Sequence, residues 1–123
     1  MRHAIHLAVA LALIVPAGAG ATRAQAADPT VYMVRYIEVA PASQAEGAAL
    51  VKKLAEASRK EAGNLAFNAM QQTARKNHFE VVEIWADQKA EDTHETNAAT
   101  KDYRAKVQPL LGAHYDRRWY KQL

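Results

Sequence analysis

Cysteine is absent from this 123-residue chain. That excludes disulfides, thiolate metal centres and a cysteine nucleophile, and leaves the fold to be held by its core or by association. Glycine and proline are scarce, at 5 and 4 residues. No Gly-rich phosphate loop appears, which argues against a nucleotide cofactor, and no Gly-x-Ser-x-Gly elbow, which argues against a serine hydrolase. Beyond residue 26 the histidines are His78, His94 and His114. No two of them are four residues apart, so the spacing predicts no metal site. Long apolar runs are also missing: Ala4 to Val15, broken by His6, is far short of the roughly 20 residues that span a bilayer.

That short run is nevertheless informative. Arg2 and His3 precede it, and the small-x-small triplet Ala24-Gln25-Ala26 follows. This is the layout of a secretory signal peptide. Residues 1–26 are therefore expected to be a cleaved leader and residues 27–123 one small domain, exported to the periplasm or secreted, without a membrane anchor after cleavage. The full chain carries a formal charge of +3. Arg2 and Arg23 leave with the leader, so 14 basic and 13 acidic side chains remain, a balance of +1. A near-neutral domain has no electrostatic footprint for nucleic acid.

What the domain does have is a regular alternation of elements. Val31 to Val39 is β-branched and aromatic and predicts a strand. Pro41 and Ser43 open a helix, with Ser43 and Glu46 at capping-box spacing. Leu50, Val51, Leu54, Ala55 and Ala57 form its apolar stripe, and Gly63 stops it. Leu65 to Thr73 and His78 to Ala86 predict two antiparallel strands joined at Arg75-Lys76-Asn77. Asp87 caps a helix from Gln88 toward Val107, with a break expected at Asn97 to Thr100 and a stop at Pro109 and Gly112. His114 to Tyr120 alternates as a last strand. The order β-α-β-β-α-β predicts an α+β fold of the ferredoxin-like type, with both helices on one sheet face.

The strands are apolar on both sides. Phe79, Val81, Glu83 and Trp85 point one way, while Glu80, Val82 and Ile84 point the other. Two helices cover one face, and a second face of this kind exceeds what a soluble monomer leaves wet. A homodimer packed sheet to sheet is expected. Glu83, a carboxylate amid apolar neighbours, and His94, the one histidine of the second helix, are then candidates for chemistry. Arg35 on the first strand is an alternative, structural partner for Glu83.

Glu61-x-Gly63-Asn64, Glu83-x-Trp85, His94 and Pro109-Leu110-Leu111, in that order and spacing, resemble the antibiotic biosynthesis monooxygenase domain. The resemblance runs from about Val31 to Tyr120. It implies a dimeric α+β barrel. It also implies kinship with quinol and polyketide monooxygenases that use no cofactor, and with heme-degrading enzymes. The heme-degrading pattern is not matched: the first strand has no asparagine, and the tryptophan and histidine positions fall at His94 and Arg104. The activity implied is oxygenation of a small quinol or phenol by O2 without a cofactor. The alternative is a non-catalytic dimer that binds heme or another planar hydrophobe.

Such oxygenation needs a base for a phenolic proton and an apolar pocket with polar groups to steady charge. Under the resemblance His94 is the base and Glu83 its partner. Trp85, Asn68, Tyr36 and Tyr32 are the candidate substrate-binding residues. Glu61 and Asn64 are read as turn chemistry around the helix stop.

Overall fold

The computed structural model describes residues 27–123; the expected leader lies outside them. The first strand, β1 (Val31–Glu38), alternates strictly, burying Met33, Arg35 and Ile37 while their neighbours stay half-exposed. A 3-10 turn over Pro41–Ser43 leads into helix α1 (Gln44–Ser58). The expected capping box does not form: Ser43 makes no side-chain cap bond. The 3-10 turn instead runs straight into the helix, with the Gln44 amide donating to the Pro41 carbonyl, and leaves Ser43 at φ −97° and ψ 10° rather than in the extended backbone of a capping residue.

Strands β2 (Asn64–Gln71) and β3 (His78–Trp85) pair antiparallel. β3 also pairs with β1, and β1 with the last strand β4 (Asp116–Tyr120), giving the order β2-β3-β1-β4. Between Asn64 and Ala66 the register slips, because Asn64 faces Trp85 while Ala66 faces Ile84. The bulge leaves Leu65 at 61% exposure, off the face that period-2 alternation assigns it with Phe67.

The long helical stretch is two helices, α2 (Gln88–Thr96) and α3 (Ala98–Val107), broken at Asn97. The Asp87 side chain accepts from the Ala90 amide at 2.8 Å and starts α2. The Asn97 side chain accepts from the Thr100 amide at 2.8 Å and restarts the helix, each satisfying an orphan donor. α2 buries only Glu91 and His94. The apolar core lies between α1, α3 and the sheet: Val51, Leu54, Ala55, Tyr103 and Val107 pack over Ile37, Phe67, Phe79, Val81 and Trp85. The fold is thus the expected ferredoxin-like α+β arrangement. No described helix is long and apolar enough to cross a membrane.

Candidate functional site

Odd-numbered positions of β1 and β3 face the helices. This places Arg35, Glu83 and Trp85 side by side in the core beneath α2, which lowers His94 onto them. All four side chains are fully buried. The Trp85 indole N–H donates to Glu83 Oε2 at 3.0 Å. Arg35 donates through Nε to Glu83 Oε1 and through Nη2 to Oε2, the latter at 3.2 Å. The His94 ring lies 4.6 Å from the Trp85 ring, tilted by 30°, and meets Phe67 edge-on at 5.7 Å. Its Nε2 is 3.7 Å from Glu83 Oε2, too far for a hydrogen bond, and has no partner among the described residues.

The other ring nitrogen is held by a residue assigned above to turn chemistry alone. His94 Nδ1 is 3.0 Å from Glu61 Oε1. Glu61 reaches it because the chain reverses at Gly63, which has φ of +81°. A side chain at Gly63 would also bring a Cβ to 2.5 Å from the Ala90 Cβ on α2. A carboxylate at Nδ1 favours the tautomer with Nδ1–H donating to Glu61, leaving a lone pair on Nε2. Burial holds the imidazole below its ordinary pKa and outweighs the opposing effects of Glu61 and Glu83, because desolvation penalises the charged ring.

A second cluster adjoins the first through Arg35. Glu95, next along α2 from His94, is contacted by three guanidiniums: those of Arg35, Arg104 on α3 and Arg117 on β4. Arg104 Nη1 also donates to the Glu95 carbonyl at 3.0 Å. Arg35 Nη1 donates to the Tyr115 hydroxyl at 3.3 Å. Arg104, Arg117 and Tyr115, with Val107 and Gln108, line a hollow of about 380 Å³. Burial, with Arg35 and Arg117 nearby, holds Arg104 below its ordinary pKa, whereas Arg35 is raised because Tyr115 and Glu83 outweigh its burial. Strand periodicity points Arg35 and Arg117 to one face, and they are partners across β1 and β4. The convergence on Glu95 has no sequence signature, because its partners lie 60, 22 and 9 positions away.

The structure brings His94, Glu83 and Trp85 together. It does not bring Tyr32, Tyr36 and Asn68 to them. Tyr32 and Tyr36 are even-numbered residues of β1, and Asn68 stands opposite Val82 on β2. All three face the side of the sheet away from the helices. There a hollow of about 530 Å³ is lined in part by Tyr36, His78 and His114. Among the described residues, no three His, Cys, Asp or Glu side chains group to hold a metal ion. The His94 ring is enclosed by Trp85 and Phe67, and Arg104 offers no ligand to iron.

A four-stranded antiparallel sheet with its helices on one face, enclosing a buried histidine between two carboxylates, defines a ferredoxin-like α+β protein with a polar constellation under its helices. Comparison with known proteins places it further. Residues 30–106 match the antibiotic biosynthesis monooxygenase family, and the chain belongs to that family. It is 31% identical over 81 residues to the "Putative monooxygenase YcnE" of Bacillus subtilis (strain 168), covering 66% of this chain and 85% of that protein. Rv0793 from Mycobacterium tuberculosis superimposes with a TM-score of 0.72 at 19% identity, over 76% of this chain and 95% of its own, a likeness of fold. A "Putative antibiotic biosynthesis monooxygenase" from Bacteroides thetaiotaomicron VPI-5482 superimposes at 0.70 with 25% identity, over 76% and 90% of the two chains.

Proposed function

We propose that this protein is a cofactor-independent monooxygenase of small quinols or phenols, with His94 as the base. The observation that carries the reading is the placement of His94: its Nδ1 is 3.0 Å from Glu61, and its Nε2 has no hydrogen-bond partner among the described residues, in a buried site between Trp85 and Phe67. Such a group accepts a proton readily once a phenolic O–H replaces the present contacts, since no water competes for it. Glu83 lies where it would steady the imidazolium that forms, and Trp85 offers a flat wall for an aromatic ring.

The chemistry balances without an added reductant. A hydroquinone gives its proton to His94, and the anion passes one electron to O2. The semiquinone and superoxide join at a ring carbon as a hydroperoxide. Loss of the ring proton and cleavage of the O–O bond then release water, with His94 returning its proton to the departing hydroxide. Hydroquinone plus O2 becomes hydroxyquinone plus H2O. The ring supplies all four electrons, so an exported enzyme would need no nicotinamide or flavin.

Access requires the seat of α2 to loosen enough to admit a ring beside His94, which that helix carries and which is sealed against Trp85 and Phe67. The helix has nine residues and buries only Glu91 and His94, so few of its own side chains leave the core when it moves. The outer sheet face, with Val34, Ala66, Val82 and Ile84 half-buried and Met70 at 47% exposure, would pack on a second copy to make a homodimer.

Oxygen uptake with a panel of hydroquinones tests the reading. Uptake is expected from the purified protein with no added cofactor, and His94→Ala is expected to reduce it by two to four orders of magnitude, roughly the contribution of a positioned base. Equal uptake by the variant would remove His94 from the mechanism.

A further inference from the structure

The three arginines around Glu95 are bonded directly by two carboxylates. Arg35, Arg104 and Arg117 converge on a region where the direct carboxylate partners are Glu83 and Glu95. Glu83 is committed to Arg35 and Trp85. Glu95 Oε1 serves Arg35, while its Oε2 serves both Arg104 and Arg117. Glu91, also buried, accepts from Gln88 through Oε2 and lies near the same arginines without a direct bond to them. Two fork-shaped cations thus share one oxygen, although each could hold a carboxylate in bidentate fashion. Arg117 bonds Glu95 through Nη1, is one-third exposed, and has its guanidinium carbon 5.3 Å from the Trp119 ring centroid. Arg104 and Arg117 border the 380 Å³ hollow with Tyr115, within the usual size range of ligand sites.

Glu95 is also what ties α2 down. The helix seats only Glu91 and His94 in the core, and the arginines of β1, α3 and β4 grip it through the residue after His94. We propose that the hollow binds the carboxylate of an aromatic acid, which takes the place of Glu95 on Arg104 and Arg117 and thereby loosens the seat of α2, the helix that carries His94. Binding of the acidic group and opening of the site are one event, and the substrate is a phenol or quinol that also bears a carboxylate. The identity of the ring rests on the proposed oxygenation; the carboxylate site does not.

Calorimetry with benzoate and the neutral isostere benzamide tests this. Benzoate is expected to bind roughly tenfold or more tightly than benzamide, as charge-assisted bidentate bonding to arginine implies. Arg104→Gln should erase most of that preference, and Arg104→Lys should retain part of it. Hydrogen exchange supplies a second readout: benzoate should accelerate exchange of the α2 amides, and Glu95→Gln should do so without ligand while tightening benzoate binding. Equal affinity for benzoate and benzamide, a preference untouched by Arg104→Gln, or α2 exchange unchanged by benzoate would each overturn the proposal. Benzoate binding without oxygen uptake on any dihydroxybenzoate would sink the oxygenase reading alone. Rapid uptake with neutral hydroquinone and no benzoate preference would sink the carboxylate site alone.

Discussion

Replacing His94 by asparagine should remove a specific slope from the pH dependence of stability. The His94 ring is fully buried against Trp85 and Phe67, and burial lowers its affinity for a proton below that of an imidazole with the ordinary pKa of 6.5. Below pH 6.5 the unfolded chain therefore takes up a proton that the folded chain refuses. Stability is fully present above pH 6.5 and is lost as pH falls toward the lowered folded value. The limiting slope is about 1.4 kcal/mol per pH unit for one proton. Denaturant titrations at half-unit steps from pH 7.5 to 5.5 give the profile, above the range where carboxylates dominate acid unfolding. Asparagine retains a donor near the Nδ1 position but cannot titrate, and it leaves a void, so the variant is expected to be less stable throughout. The informative quantity is the difference in slope. His78 and His114 remain in both proteins, and subtraction isolates His94. Identical slopes, or a wild type that gains stability below pH 6.5 relative to the variant, would refute the reasoning. The second result would mean that Glu61 and Glu83 hold the ring as imidazolium.

Three further predictions follow from the same geometry. Glu83→Gln keeps an acceptor for Trp85 but leaves the buried Arg35 charge to Glu95 alone; a loss of about 3 kcal/mol is expected, and a loss below about 0.5 would show the pair to be dispensable. Gly63→Ala forces a side chain into positive φ and onto Ala90. It should cost about 1–2 kcal/mol in chemical denaturation from the backbone alone, and should change the NMR titration of His94 by moving Glu61; an unaltered titration would contradict the link. Val82→Asp places a charge on the outer sheet face, and sedimentation at micromolar concentration should show wild type at twice the chain mass and the variant at one; a well-folded wild-type monomer would end the case for a dimer.

Much of the fold was legible because each element carries its own signal. The β-branched run of β1, the Asp87 cap and the break at Asn97 mark boundaries that local chemistry dictates. The Ser43 capping box failed because the preceding 3-10 turn holds Ser43 outside the extended backbone that a capping residue needs. Leu65 departed from alternation because a bulge adds a residue to β2, and a bulge has no fixed sequence mark. Parity along β1 and β3 gave Arg35, Glu83 and Trp85 one face, and the same parity set Tyr32 and Tyr36 on the opposite one. Treating all of them as one pocket ignored that alternation. Glu61 was partly hidden: it sits in a recognisable turn, but only the positive φ of Gly63 brings it to His94. The gathering of Arg35, Arg104 and Arg117 on Glu95 depends on three elements meeting, and no window of sequence contains it.

The central claim, that a ring substrate itself reduces O2 at His94, is tested most directly by isotope. Turnover of a hydroquinone under 18O2, with no added cofactor, should yield a hydroxyquinone carrying one 18O atom from the gas and release the other as labelled water. A quinone without added label, accompanied by hydrogen peroxide, would show simple oxidation and contradict the account.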